Sequence, residues 1–254
     1  GATVIIAEIS NSGKKVEEEI TNGGGNAEFI QTDVSSEKAM NRLSKYVLNT
    51  YEKVDILINN AIYITLGEFL EIDHSKWEKT FDVNVFGAIY GIKLFLPQMI
   101  QNKSGIIASC LSAEGMPFVA PYSASKCALS SLTQSVAVEI GDEANVSVFC
   151  FTPGMIDTPG LQEASEYIAK KVGISVQEFN SQNVNPGYEG IMPADHCAAG
   201  FTLALLNAKN LHGQIVSPFE FLNQYKPSEA VELPEEIIKE LWMRFKDINE
   251  ILNK

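Results

Sequence analysis

The sequence has little positive charge and few of the residues that bind metals. Its 254 residues carry 19 Lys and Arg against 32 Asp and Glu, a net charge of -13. That balance argues against sequence-independent binding to nucleic acid or to anionic lipid, because both need a basic surface. The three histidines, His74, His196 and His212, are scattered along the chain. We therefore expect no metal site.

Cysteine is scarce, and the patterns of membrane spans and export signals are missing. No run approaches the roughly 18 apolar residues of a membrane span, and the N-terminus lacks the order of a signal peptide. The four cysteines lie far apart within apolar runs, which predicts reduced core residues rather than disulfides: Cys110, Cys127, Cys150 and Cys197. We expect a cytoplasmic protein without membrane contact.

The composition suits a single soluble domain over residues 1–254. Hydrophobic residues make up 45% of the chain and charged residues 20%, enough to bury a large core at this length. Short apolar runs that suit buried strands alternate with helical patterns, the longest of them around 77–100 and 122–140. This alternation predicts an α/β fold with a doubly wound parallel sheet. The strand-like runs are 4–7, 28–31, 54–58, 106–111, 146–151 and 213–216.

A phenol and an ammonium four residues apart are the most informative pair in the chain. Tyr122 and Lys126 share one face of a predicted helix, because side chains at i and i+4 stack on the same side. The strand-like run that precedes them ends in Ser109 and Ser112. Serine, tyrosine and lysine can therefore converge at one strand end as a proton-transfer site.

These residues and three further motifs, in the same order, resemble the short-chain dehydrogenase/reductase family. The further motifs are Asn59-Asn60-Ala61, the run 81–87, and Pro153-Gly154-Met155-Ile156-Asp157-Thr158. The resemblance runs along nearly the whole chain. It implies a Rossmann-type fold and a nicotinamide-dependent oxidoreductase that transfers hydride between its cofactor and an alcohol or ketone. It also implies a catalytic tetrad at Asn84, Ser112, Tyr122 and Lys126.

The resemblance gives each member of the tetrad a role. Tyr122 is the general acid/base, with a phenol that Lys126 and the nicotinamide ring help to ionise. Ser112 holds the substrate oxygen, and Asn84 bends its helix and holds a water in the proton relay. The serine has two candidates. Counting back from Tyr122 reaches Ser109, but we prefer Ser112, because Ser109 would leave a strand of only about three residues.

The sequence begins at what resembles the second strand of the family's fold. Gly1 to Glu8 resembles the family's second strand, so its first strand, its first helix and the glycine-rich turn that holds a pyrophosphate have no counterpart. The cluster Gly23-Gly24-Gly25 precedes a strand, which is typical of a connecting loop. We expect about 25 to 30 residues, the size of a strand–turn–helix unit, before Gly1.

Glu8 ends the first predicted strand, where the family's acidic residue grips the adenosine ribose. A carboxylate accepts hydrogen bonds from both ribose hydroxyls and repels a 2′-phosphate, and no Arg or Lys follows at 9–11, so NAD is favoured over NADP. Ile62 departs from the glycine usual in the family and fills space near the nucleotide. The resemblance places further cofactor contacts at Asp33, Val34, Asn60, Ala61, Tyr122, Lys126, Pro153, Gly154, Ile156 and Thr158.

Three further segments carry predictions. Residues 157–192, with several Gly and Pro, are the least regular part and resemble the family's substrate lid. The helices over 84–99 and 122–138 are apolar on more than one face, which suits burial against both the sheet and another subunit, and the resemblance implies a homodimer or homotetramer. Apolar residues at spacings of three and four predict a C-terminal helical extension over 233–252 that packs on the rest of the protein.

Two other function classes stay open. A non-redox enzyme such as an epimerase or dehalogenase can use the same scaffold, although dehalogenases of this architecture replace the lysine by arginine. A nucleotide-binding protein without catalysis is the other, because the glycine-rich turn is missing from the sequence and Ile62 departs from the family pattern. The partner expected from the tetrad is a small alcohol or carbonyl compound.

Overall fold

The computed structural model describes residues 1–112, 115–181, 188 and 190–222. The chain divides into two compact units, the first made of residues 1–150 and 212–214 and the second of residues 151–211 and 215–254. The predicted helix over 233–252 lies outside the described residues. That the whole chain forms one domain stays a prediction.

The strands pair in parallel and alternate with helices, which confirms the predicted α/β fold class. β1 and β2 pair with Glu8 opposite Gln31, and β3 pairs with β4 with Asn59 opposite Ser109. The second sheet has the order β3-β4-β5-β6. The strands are β1 Thr3–Glu8, β2 Asn26–Gln31, β3 Ile56–Asn59, β4 Gly105–Cys110, β5 Val146–Phe151 and β6 Ile215–Val216.

The described strands form two separate sheets. Among these strands, β1 pairs only with β2, and β3 pairs only with β4. Val4 of β1 and the β3 residues Ile56 and Ile58 are exposed. The family resemblance places its first strand between these two strands, and the expectation of residues before Gly1 stays an expectation.

A side-chain cap starts α2. Ser36 accepts a hydrogen bond from the Ala39 N–H at the start of α2, as an N-cap serine does. The first unit contains α1 Ser12–Asn22, α2 Glu37–Tyr51, α3 His74–Phe81, α4 Gly87–Asn102 and α5 Ala120–Ile140. The second contains α6 Pro159–Val172, α7 Val176–Ser181, α8 Ala194–Leu206 and α9 Pro218–Leu222.

The core of the first unit forms where α4 and α5 meet the second sheet. β5 is buried along its whole length, as expected for a continuous apolar run in a parallel sheet. The core cluster of this region consists of Ile92, Phe95, Met99, Ile107, Ala137, Val146 and Val148. A second cluster, made of Met40, Leu43 and Val47 of α2, packs against β1 and β2.

The described part of the segment 157–192 contains the helices α6 and α7. Thr158 and Pro159 start α6, and Gly173, with a φ of 79°, ends it. Ile156 pairs with Met192 in a parallel bridge. That the segment forms a substrate lid stays a prediction.

One cysteine contradicts the predicted core position. Cys150 and Cys197 are buried and Cys110 is half-buried, but Cys127 is exposed, and none of these four described residues forms a disulfide. Cys127 follows buried Lys126 on α5, and each helical residue is turned about 100° from the one before it. The apolar neighbours of Cys127 in the sequence therefore do not share its face.

The helical stretch from His74 to Asn102 has the length and mean hydropathy of a membrane span. Half of its most apolar window is nevertheless buried within the protein. Ile92, Phe95 and Met99 from this stretch belong to the core cluster of the first unit. These contacts are typical of a core helix.

Candidate active site

The four residues of the predicted tetrad all lie in the first unit. Ser112 follows β4, which ends at Cys110, and Tyr122 and Lys126 occupy the first two turns of α5. Asn84 lies between α3 and α4. The carboxyl ends of parallel strands are where open α/β sheets place their ligands, so the position suits a binding site.

Lys126 is buried against the end of β4. The residue is only 3% exposed. Its Nζ donates to the Cys110 carbonyl oxygen at 2.6 Å and lies 5.7 Å from the centre of the Tyr122 ring. Burial lowers the pKa of Lys126 to about 8, because the ammonium loses its hydration. The ammonium stays mostly charged at neutral pH but is close to losing its proton.

The Tyr122 phenol is partly buried beside Lys126. Burial raises its pKa above the ordinary value, and a hydrogen bond from the side chain of Ser112 acts in the opposite direction. Lys126 Nζ donates a hydrogen bond to the Cys110 carbonyl. Within the chain itself, the cost of burying a phenolate therefore outweighs the groups that stabilise it.

The two serine candidates occupy different environments. Ser109 lies inside β4, fully buried, and its Oγ accepts hydrogen bonds from Asn59 Nδ2 at 3.3 Å and from Thr133 Oγ1 at 3.0 Å. Ser112 lies beyond the strand, with its side chain close enough to Tyr122 to act on the pKa of the phenol. The geometry thus brings Ser112 to Tyr122 and leaves Ser109 in the core.

Asn84 lies at the centre of a π turn, Asp82–Phe86, that interrupts the helix predicted around 77–100. Its carboxamide bonds outside its own helix: Oδ1 accepts from the Tyr63 N–H at 2.7 Å, and Nδ2 donates to the Tyr63 carbonyl at 3.1 Å and to Ser125 Oγ at 2.8 Å. Asparagine is a poor helix former, and π turns recur at functional sites. The buried amide joins the loop after β3 to α5.

The residues expected near the adenosine follow the ends of β1 and β2. Glu8 Oε1 accepts from the Ser10 N–H at 2.8 Å, which fixes the carboxylate over the turn after β1. Asp33 Oδ1 accepts from the Ser35 hydroxyl at 2.6 Å, and this bond is the main cause that lowers the pKa of Asp33. Val34 instead packs on the α2 cluster.

The loop after β3 is open. Asn60 and Ala61 are exposed, as is Ile62 at the position where the family has glycine. The Ile62 side chain is therefore not part of the core. The backbone of the next residue, Tyr63, is held in place by Asn84.

The remaining predicted cofactor contacts lie in the second unit. Pro153 and Gly154 follow β5, and Gly154 has a φ of 77°, a conformation that favours glycine. Ile156 takes part in the bridge to Met192. Thr158 Oγ1 accepts from the Leu161 N–H at 3.3 Å and so caps α6.

The histidines have structural roles and lie apart. His212 Nδ1 accepts from the Val148 N–H at 3.2 Å, while its Nε2 donates to the Ala137 carbonyl at 3.0 Å. His196 Nδ1 is 2.8 Å from the Tyr188 hydroxyl. Across the described part of the chain, no three His, Cys, Asp or Glu side chains are grouped as metal ligands.

Sequence reasoning missed two members of the site, Tyr63 and Ser125. Both are partners of the Asn84 amide, and Ser125 Oγ also donates to the Tyr122 carbonyl at 2.7 Å. The signal for Ser125 was its place directly before Lys126 on α5. Tyr63 carried no signal, because it takes part through its backbone.

Comparison with known proteins gives a consistent result. The family described as short chain dehydrogenase matches residues 1–169. An uncharacterized oxidoreductase of Thermotoga maritima is 32% identical over 169 residues, 65% of this chain and 66% of its own length. A diacetyl reductase of Staphylococcus epidermidis is 29% identical over 66% of this chain and 68% of its own. The chain thus spans about two thirds of the length of these curated relatives.

Solved structures share the fold. An NAD+-bound xylitol dehydrogenase superposes with a TM-score of 0.77 at 22% identity, over 85% of this chain and 88% of its own. A 7α-hydroxysteroid dehydrogenase in complex with NADH and a 7-oxo bile acid gives 0.74 at 25% identity, over 85% and 83%. L-Sorbose reductase of Gluconobacter frateurii, in complex with NADPH and L-sorbose, gives 0.75 at 19% identity, over 85% of each chain.

Proposed function

Because the chain belongs to the short chain dehydrogenase family, we propose that it is a nicotinamide-dependent oxidoreductase that interconverts a small alcohol and its carbonyl compound. The observation that carries the proposal is the grouping of Tyr122 with Ser112 on one side and buried Lys126 on the other. A phenol, a hydroxyl and an ammonium at one strand end are the groups needed to hold a substrate oxygen and move one proton to or from it.

The residues present fit a nicotinamide dinucleotide. Among the described residues, the Glu8 side chain accepts only the Ser10 hydrogen bond, so its second oxygen is left for a ribose hydroxyl. Lys126 would hold the other ribose, and the Lys126 charge lies beside the phenol that must exchange a proton. When bound, the nicotinamide would supply or accept the hydride.

The chain's own residues would handle the proton. In carbonyl reduction, the Tyr122 O–H donates its proton to the substrate oxygen, and in alcohol oxidation the phenolate accepts it. Ser112 would donate a hydrogen bond to the same oxygen and fix its distance from Tyr122. Carbonyl reduction needs the protonated phenol, the form that burial of Tyr122 favours by raising its pKa.

A substrate panel tests the proposal. Purified full-length protein should oxidise or reduce at least one member of a panel of secondary alcohols, diols, α-diketones and cyclic ketones, with a matching change in nicotinamide absorbance. Absence of turnover with both cofactors across the panel, in protein that binds NADH, would instead favour a nucleotide-binding protein without catalysis.

The Glu8 carboxylate favours NAD over NADP. Because it is fixed at the end of β1 by the Ser10 N–H, a 2′-phosphate would meet a negative charge there. We expect Glu8→Ala to weaken NAD binding about tenfold and to reduce discrimination against NADP, measured as the ratio of kcat/KM for the two cofactors. Glu37→Ala, an exposed glutamate at the start of α2, is the control. A wild-type protein that uses both cofactors equally would contradict this role of Glu8.

The groove between α4 and α5 suits contact with a second copy of the chain. It has a volume of about 630 Å³, and its walls are mostly aliphatic: Ile89, Ile92, Leu96, Pro97, Ile100, Leu132, Val136 and Ile140. Val138 on α5 is 83% exposed. Apolar surface of this kind is commonly buried in homo-oligomers. We propose a homodimer or homotetramer that assembles through this groove.

Charge placed in the groove should dissociate the assembly. We expect wild-type protein at micromolar concentration to scatter light as a dimer or tetramer and Leu96→Glu to shift it to the monomer. Leu70→Glu is the matched control, because Leu70 is 93% exposed on the short 3-10 turn Phe69–Glu71, away from the groove residues in sequence. A monomeric wild type, or dissociation by Leu70→Glu alone, would rule out assembly through α4 and α5.

A further inference from the structure

Ser125 is the buried link between the two parts of the site. It is 0% exposed, and its Oγ has a partner on each side. The hydroxyl donates to the Tyr122 carbonyl at 2.7 Å and accepts from Asn84 Nδ2 at 2.8 Å. It therefore joins the first turn of α5, which carries Tyr122, to the π turn.

The Asn84 amide can take only one orientation in this network. Oδ1 accepts the Tyr63 N–H, while the two N–H bonds of Nδ2 go to the Tyr63 carbonyl and to Ser125 Oγ. A flipped amide would set Oδ1 against the Tyr63 carbonyl and Nδ2 against the Tyr63 N–H, pairing acceptor with acceptor and donor with donor. Ser125 supplies the bond that connects this fixed amide to α5.

We propose that Ser125 is a positioning residue for proton transfer at Tyr122. It does not reach the reacting atoms in the proposed reaction. It holds the Tyr122 turn of α5 in a fixed relation to Asn84 and to the loop after β3, so that the phenol meets the substrate oxygen at the distance proton transfer requires. The kinetic part of this inference rests on the proposed oxidoreductase function.

Ser123 offers a matched control in the same helical turn. It is also buried, but its hydroxyl has no hydrogen-bond partner among the residues that the structure describes. Ser125→Ala and Ser123→Ala make the same chemical change two residues apart on α5. Only Ser125→Ala removes a connection to Asn84.

The kinetic test compares the two variants on the substrate found in the panel. We expect Ser125→Ala to lower kcat about tenfold, since small misplacements of reacting groups cost one to two orders of magnitude. The pH dependence of kcat should also move, because Tyr122 titrates in an altered setting, while KM for the nicotinamide stays within about twofold. Ser123→Ala should leave kcat and its pH dependence unchanged. Equal kcat in both variants would overturn the proposal.

Amide hydrogen exchange tests the same link without turnover. If Ser125 fixes the Asn84 amide, Ser125→Ala should speed exchange of the Tyr63 N–H severalfold through local opening, with an unchanged melting temperature. Ser123→Ala should not affect it. If the Tyr63 N–H exchanged in Ser125→Ala at the same rate as in wild type, the inference would be wrong. If wild type turns over no substrate, the proposed function fails, and the exchange result still decides whether Ser125 positions Asn84.

A double-mutant cycle completes the test. If Ser125 acts through Asn84, adding Ser125→Ala to Asn84→Ala should change kcat by less than about twofold, because the connection is already lost. A further full tenfold loss in the double variant would show that the two residues act independently and would contradict the proposed link.

Discussion

Replacing Tyr122 by Phe is expected to lower kcat at least about a hundredfold, the low end of what a positioned proton donor contributes. The ring stays in place beside Lys126, so NADH affinity and the melting temperature should hardly change. Steady-state kinetics and a binding titration measure both quantities. The loss in kcat is expected because the substitution removes the Tyr122 hydroxyl, the group that would exchange a proton with the substrate oxygen.

Tyr90→Phe on α4 is the control for this change. It removes a phenol oxygen from a residue that packs on the α2 cluster, outside the site. We expect its kcat to stay within about twofold of wild type. Near-normal turnover in Tyr122→Phe would remove Tyr122 from the mechanism and, with it, the proposed role of Ser112.

Replacing Lys126 by Met is expected to have the second largest effect. The buried ammonium is the positive charge beside the Tyr122 ring, so its loss makes the phenolate still harder to form. The rate of alcohol oxidation at pH 7 should fall about a hundredfold. In the pH–rate profile of this reaction, the rising limb should move to higher pH. Lys45→Met, an exposed lysine on α2, should change neither. A rising limb at the same pH as in wild type would show that Lys126 does not lower the pKa of the Tyr122 phenol.

The same substitution predicts a change in the pH dependence of stability. Burial lowers the pKa of Lys126 to about 8, below its value of about 10.4 in an unfolded chain. Between these values the unfolded state binds more protons than the folded state, so this group makes stability rise with pH across that window. Lys126→Met should remove that contribution, which urea unfolding at pH 7.5 and pH 10 measures.

The features predicted correctly from the sequence depend on local pattern. β5 forms over 146–151 as expected, because a continuous apolar run of that length suits a strand buried on both faces. Tyr122 and Lys126 fall on one face of α5 for the same kind of reason, a fixed helical spacing. The preference for Ser112 came from the length a strand needs, and β4 does include Ser109.

The features that were missed depend on contacts distant in sequence. The resemblance implied a bend at Asn84, but no helical spacing around Asn84 reveals that the Tyr63 backbone and Ser125 on α5 hold its amide. Cys127 is exposed because of which side of α5 meets the core, although its sequence neighbours are apolar.

The π turn also limits how the length of the chain can vary. A π turn accommodates one residue more than the α-helix around it, and one helical residue corresponds to a rotation of about 100°. Deleting any single residue from 82–86 would let α3 and α4 join as one regular helix. Either Thr80 on α3 or the buried face of Ile92, Phe95 and Met99 on α4 would then turn away from its packing partners. Insertions and deletions should therefore be rejected between Thr80 and Ile92, where the number of residues is as constrained as their identity.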